Sequence, residues 1–165
     1  MVSNAIGYAG CALLLALAYT DLQARRLPNP LVAAFGALYV AHAWLGAVSY
    51  SAFAQHVVAA LVVFVCGAAL YVADRIGGGD VKLASALAFW IGPHGAVPAL
   101  VFVSITGSVV AVAGLIADRL APAAAPLPLI GSTLRLVSAR RGVPYGVALA
   151  ACGVIALLPR SFVIG

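Results

Sequence analysis

Six apolar stretches, each bounded by charge, glycine or proline, occupy most of this chain: residues 5–20, 31–48, 52–73, 81–91, 96–117 and 143–158. A helix needs roughly 20 apolar residues to cross the hydrocarbon of a bilayer, and runs of this order leave no polar face for a water-soluble fold. The fold class they predict is all-α, a polytopic integral membrane protein with six transmembrane helices. Composition agrees: 65% of the 165 residues are hydrophobic, 8% are charged, and mean hydropathy is +1.15. No polar block of domain size interrupts the runs, so residues 1–165 read as a single domain in the lipid bilayer. The first run is preceded by no basic residue and followed by an acid and two arginines, so it reads as a retained helix rather than a secretory signal.

Short cytoplasmic loops carry the excess of Lys and Arg, and here the basic residues fall in alternate loops. Arg25 and Arg26 lie between the first and second runs, Arg75 and Lys82 flank the link between the third and fourth, and Arg119, Arg135, Arg140 and Arg141 lie between the fifth and sixth. Arg160 alone falls on the other side, which places both termini outside the cytoplasm. The net charge of +5 is therefore a topology signal, and gives no reason to expect nucleic acid as a partner. All four acids, Asp21, Asp74, Asp80 and Asp118, fall at cytoplasmic helix ends. Trp44, Tyr50, Phe53 and Trp90 map near the outer interface, and Tyr19, Tyr71 and Tyr145 near the inner one, as aromatic belts do.

The links after the second and fourth runs, 46–51 and 92–95, are short and uncharged. The long link is 118–142, where a Pro/Ala-rich piece, 122–128, precedes 129–141, whose Ile130, Thr133, Leu134 and Val137 share one helical face. That piece reads either as a surface-lying amphipathic helix or as a solvated basic loop. The fourth run has only eleven residues, or about 16 Å of helix at 1.5 Å per residue. Either the chain after Gly92-Pro93 continues inward as irregular backbone, or Asp80 lies below the cytoplasmic surface; irregular backbone at depth needs protein or water around it.

An ionised carboxylate within the bilayer is costly and usually marks a functional site. Asp74 and Asp118 are each followed at once by an arginine at a helix end and read as interfacial charge. Asp21 and Asp80 stand in distinctive surroundings, Asp21-Leu22-Gln23-Ala24-Arg25-Arg26-Leu27-Pro28-Asn29 and Gly77-Gly78-Gly79-Asp80-Val81-Lys82. Three successive glycines weaken a helix and let backbone approach a neighbour closely, which fits a cradle for an extended substrate segment. Two carboxyl groups sharing a site do not both ionise easily, so one holds a proton while its partner is charged. The charged one takes a proton from water as it attacks a peptide carbonyl, and the protonated one donates to the developing oxyanion. Arg25, Arg26 and Lys82 either tune that pair, hold acidic groups on a substrate, or anchor helices at the headgroups.

Both segments resemble those of the prepilin peptidases, membrane aspartyl proteases of the GxGD type. In that family one catalytic Asp ends the first core helix ahead of a basic stretch and Pro-Asn, as Asp21 precedes Arg25, Arg26, Pro28 and Asn29. The second lies in GxGD followed by x-Lys, as in Gly77, Gly78, Gly79, Asp80 and Lys82. The segment Val143-Pro144-Tyr145-Gly146-Val147-Ala148 resembles the opening of the final helix in the short members that serve tight-adherence (Flp-type) pili. The resemblance implies an aspartic endopeptidase of the bacterial inner membrane, with catalytic Asp21 and Asp80 facing the cytoplasm. Gly77, Gly78, Gly79 and Lys82 would shape the approach to them. The implied substrate is a type IV prepilin or pseudopilin with a short basic leader and an apolar helix, and the pilus-assembly machinery is a further possible partner.

Long members of that family add a cytoplasmic methyltransferase domain with a four-cysteine zinc site, for which this chain has no separate segment. Cys11, Cys66 and Cys152 lie within predicted helices without CxxC spacing and read as packing residues. His42, His56 and His94 map to the outer half, away from the acids, so the expectation is a site with no metal and no cofactor. Two rivals remain from other classes: a proton-coupled transporter, although transport sites generally lie near the midplane between repeats, and a noncatalytic assembly scaffold that binds a basic leader.

Overall fold

The computed structural model describes residues 2–120 and 145–158, and among them every regular element is a helix. The first three are α1 (Val2–Ala24), α2 (Asn29–Leu45) and α3 (Tyr50–Val72). The next stretch, Gly78–Leu120, is broken at Gly92, whose φ of 67° and ψ of −175° are not helical. It is therefore two helices, α4 (78–91) and α5 (93–120), and the last is α6 (Tyr145–Leu157). Asn4–Ala24, Tyr50–Val72 and Gly78–Ala117 are long and apolar enough to cross a membrane, while α2 and α6 are apolar but shorter. The link pieces 122–128 and 129–141, with Arg135, Arg140 and Arg141, lie outside the described residues, as do Val143, Pro144 and Arg160.

The helices pack in a bundle in which α1 lies against α2 and α6, and the stretch 78–120 contacts α2, α3 and α6. At its centre Leu14, Leu17, Phe35 and Leu83 are fully buried, with Leu87, Leu149 and Ala150 around them. Leu15, Val62, Val65, Ile105 and Val109 are exposed on the outside, as apolar side chains are where acyl chains replace water. Cys11 and Cys152 are buried in the packing, as expected, but Cys66 points outward from α3.

The ends of α2 and α3 are closed by local devices. Both α2 and α3 finish in Schellman turns. In the first, Val48 N–H reaches Ala43 O at 3.0 Å around a left-handed Ala47; in the second, Arg75 N–H reaches Leu70 O at 2.9 Å around a left-handed Asp74. Asp tolerates that conformation better than most residues, so Asp74 is a cap residue as well as exposed charge.

The α4–α5 break follows from two adjacent residues. Gly92 occupies a region of φ/ψ space that is essentially closed to side-chain-bearing residues, and Pro93 fixes its own φ for the first position of α5 while lacking an N–H. The Phe89 carbonyl, four residues before that proline, consequently has no helical donor. His56 of α3 supplies one: its Nδ1 lies 2.8 Å from Phe89 O, which makes Nδ1 the protonated ring nitrogen. A Cβ built on Gly92 would fall 2.5 Å from His56 Nε2, so ring and bend interlock. Tyr39 stacks on His56, at 5.2 Å between centroids. In lipid no water substitutes for the lost donor. His56→Leu is expected to destabilise the protein by about 1–3 kcal/mol, the cost of orphaning a buried acceptor; unfolding in mixed detergent micelles measures it.

One expectation changes here. The link between the fourth and fifth helices is one residue, Gly92, not 92–95, because Pro93 opens a helix rather than continuing a loop. No irregular segment runs inward. Trp90 packs into the bundle: it stacks on Phe35 at 5.4 Å and donates from Nε1 to Phe35 O at 2.9 Å. Trp44 and Tyr50 are exposed, as expected of belt residues.

Candidate active site

Asp21 lies one turn before the end of α1, and its carbonyl takes the last helical bond, from Arg25 N–H at 2.9 Å. Arg25 then turns left-handed, with φ of 51°, which stops the helix and sends the chain back toward α2. Pro28 caps that helix, its carbonyl accepting from Leu31 and Val32 at 3.1 and 3.2 Å. The Arg-Arg-Leu-Pro-Asn stretch is thus a tight return turn over the end of α1.

Asp80 sits in the first turn of α4, and here the structure differs from the sequence reading. The glycines are not an extended cradle: Gly78 and Gly79 are already helical, Gly77 is the residue before the helix, and none of the three has positive φ. Val81 N–H bonds to Gly77 O at 3.2 Å, while the Asp80 carboxylate reaches back to the Gly77 N–H. This is one half of a capping box, the acid three positions into the helix reaching back to the residue before it, while Gly77 has no side chain to return the bond. Lack of side chains is what the position demands. A Cβ on Gly77 would lie 2.9 Å from Asp80 Oδ2, one on Gly78 3.3 Å from the Tyr71 ring, and one on Gly79 3.1 Å from Leu27 Cβ. Close approach, rather than unusual φ, accounts for the triplet.

The two acids, distant in sequence, line one cavity of about 570 Å³ together with Arg25, Arg26 and Lys82. They are near enough for the charge of Asp21 to act on Asp80, and Arg25 acts on Asp21. Among the described residues Asp21 is the one charged side chain that is buried, at 6% exposure. Its carboxylate accepts from the N–H groups of Gly146 and Val147 in the first turn of α6, where free amides and the helix dipole favour an anion. Its Oδ2 has no hydrogen-bond partner among the described residues, although it is buried. Asp80 is partly exposed to the same space.

Lys82 takes a defined place. One turn from Gly78, it donates from Nζ to Asn29 Oδ1 at 3.0 Å, tying the start of α4 to the start of α2. Each acid is therefore held by its own helix and by a second element: Asp21 by α6, and the Asp80 turn by the Leu27–Asn29 return. Sequence reading quoted Gly146, Val147 and Asn29 only as parts of a resemblance, and gave them no contact with the acids. Their signal was the Pro-Tyr-Gly and Pro-Asn helix starts, which mark amides and side chains free to serve a neighbour.

His42, His56 and His94 are remote from this cavity; His42 and His94 line another, of about 750 Å³, near Trp90. Among the described residues no group of three or more His, Cys, Asp or Glu is placed to hold a metal ion.

A model of the type IV leader peptidase family matches residues 8–112. That span takes in Asp21, the return turn and the whole 77–82 segment. No curated protein and no solved structure matches. With more than half of its length matched, and with its two distinctive acids in one cavity, the chain belongs to the type IV leader peptidase family, whose members are peptidases of the aspartic type.

Proposed function

We propose that this protein is an aspartic endopeptidase that cuts the leader from type IV prepilins or pseudopilins of the Flp type, at the cytoplasmic face of the bacterial inner membrane. The observation that carries the reading is the convergence of Asp21 and Asp80, far apart in sequence, on one polar cavity. Asp21 and Asp80 are the catalytic pair. One, ionised, removes a proton from the attacking water; the other, protonated, donates to the carbonyl oxygen, and the tetrahedral adduct collapses with the proton passed on to the leaving amine. Gly77, Gly78 and Gly79 keep the approach clear of side chains, and Lys82 braces the turn that presents Asp80. Six spans with both termini outside, supported by the alternation of basic loops, put both acids at the cytoplasmic edge, where a polar leader meets its apolar helix.

Purified protein reconstituted in liposomes with a prepilin is expected to release the leader, at a rate unchanged by EDTA. A proton-coupled transporter would instead acidify vesicles under a gradient with no cleavage. A scaffold would retain the leader uncut, and either result would end the peptidase reading.

A further inference from the structure

Asp80 borders a second hollow, of about 280 Å³, on the side away from the return turn. This one is mostly apolar, with Ser104 and Tyr145 in its wall, and lies between α3, α4, α5 and α6. Along α4 it is lined by Asp80, Ala84, Leu87, Ala88 and Ile91, a spacing that puts all five on one helix face. The eleven residues from the acid to the last of these span about 16 Å, so the trough runs from Asp80 down to the bend at Gly92. Leu70 of α3 and Leu100 of α5 stand along its open edge, 48% and 57% exposed.

The two hollows meet only at Asp80, and they differ in chemistry. The first carries Arg25, Arg26, Lys82 and both acids; the second is mostly apolar beyond Asp80, its wall interrupted by the hydroxyl-bearing Ser104 and Tyr145. A chain that is polar on one side of a peptide bond and continues as an apolar helix on the other would find a matching surface for each part, with the bond over the carboxyl. Alanines at 84 and 88 in the floor let a second helix backbone come close, as small residues do in helix pairs within lipid. An acyl chain needs no such narrow, graded seat beside a carboxyl.

We infer that this trough is the seat of the substrate's apolar helix, on the C-terminal side of the scissile bond. The inference rests on the peptidase reading and adds to it a subsite for the part of the substrate inside the bilayer. Recognition of the helix mainly by shape would let one enzyme accept different apolar sequences of similar girth.

Photo-crosslinking from defined positions tests it. A diazirine side chain is placed singly at Leu70 or Leu100 in the trough, or at Val62 or Val109, which are exposed on α3 and α5 outside it. Each is built both on the otherwise intact chain and on an Asp21→Asn, Asp80→Asn chain that holds the prepilin uncut. The trough positions are expected to mark the prepilin helix several-fold more than the control positions, in both backgrounds. Leader release by the intact chain with equal marking from all four positions, or with only lipid marked from Leu70 and Leu100, would overturn the subsite while leaving the peptidase reading standing. Absence of both cleavage and marking would overturn the two together.

Discussion

Asp21→Asn and Asp80→Asn are each expected to lower kcat for leader release by about 10²–10⁴, the usual yield of a positioned acid or base. Asparagine keeps the size of the side chain and an acceptor oxygen, so the Gly77 N–H and the amides of Gly146 and Val147 retain a partner. What it cannot do is carry a proton to or from water. KM is expected to change little, because neither substitution alters the walls of the cavity. The double variant should be no slower than the worse single one by any large factor, since groups acting as a unit do not contribute additively. At buried Asp21 the substitution also removes a charge from a site with little solvent, so the variant should resist unfolding at least as well as the parent. Inactivity with an intact fold is the signature to seek in parallel cleavage and detergent-unfolding measurements. Cleavage at near-parental rate by either variant would remove that acid from the chemistry.

Much of this arrangement was legible because hydrophobic runs and charges act locally. The six apolar stretches correspond to six helices among the described residues, with ends displaced by a few positions. The largest displacements have clear causes. Helix α4 begins at Gly78 rather than at Val81, because the Asp80 carboxylate satisfies the Gly77 N–H and because Leu27 and Tyr71 pack where side chains are missing; glycine's weak helix propensity was outweighed by capping and contact. Helix α5 begins at Pro93 because proline suits a first turn, a reading the pattern Gly-Pro-His-Gly concealed. The acids themselves stood out because a carboxylate in an apolar chain needs a reason. Their environment did not stand out, since it is assembled by residues far away in sequence. No local pattern connects Asp21 to Gly146, Lys82 to Asn29, or His56 to Phe89.

Of those long-range contacts, the one between Asp21 and Gly146 is expected to be the most sensitive. A Cβ on Gly146 would stand 2.7 Å from Asp21 Oδ2 and 2.9 Å from Cγ, closer than real Cβ atoms come, and 3.2 Å from Asp21 Cβ. The obstructed neighbour is a short, buried side chain that cannot swing aside as the tip of a leucine does. In Gly146→Ala, therefore, either the carboxyl rotates off the α6 amides or the start of α6 retreats, and in both cases the acid is displaced by about 1 Å, enough to cost roughly 10² in kcat. Gly153→Ala is the matching control. It lies two turns further along α6, where the added methyl would meet Leu14 Cδ1 at 2.6 Å and Leu87 Cδ1 at 3.1 Å, far from either acid. Overpacking of either kind costs about 1–3 kcal/mol of stability, so the two variants should unfold at similarly reduced detergent concentrations. Only Gly146→Ala should also lose turnover at saturating prepilin. Equal kcat in the two would mean that the amino end of α6 does not set the position of Asp21, and that the carboxyl is held by its own helix alone.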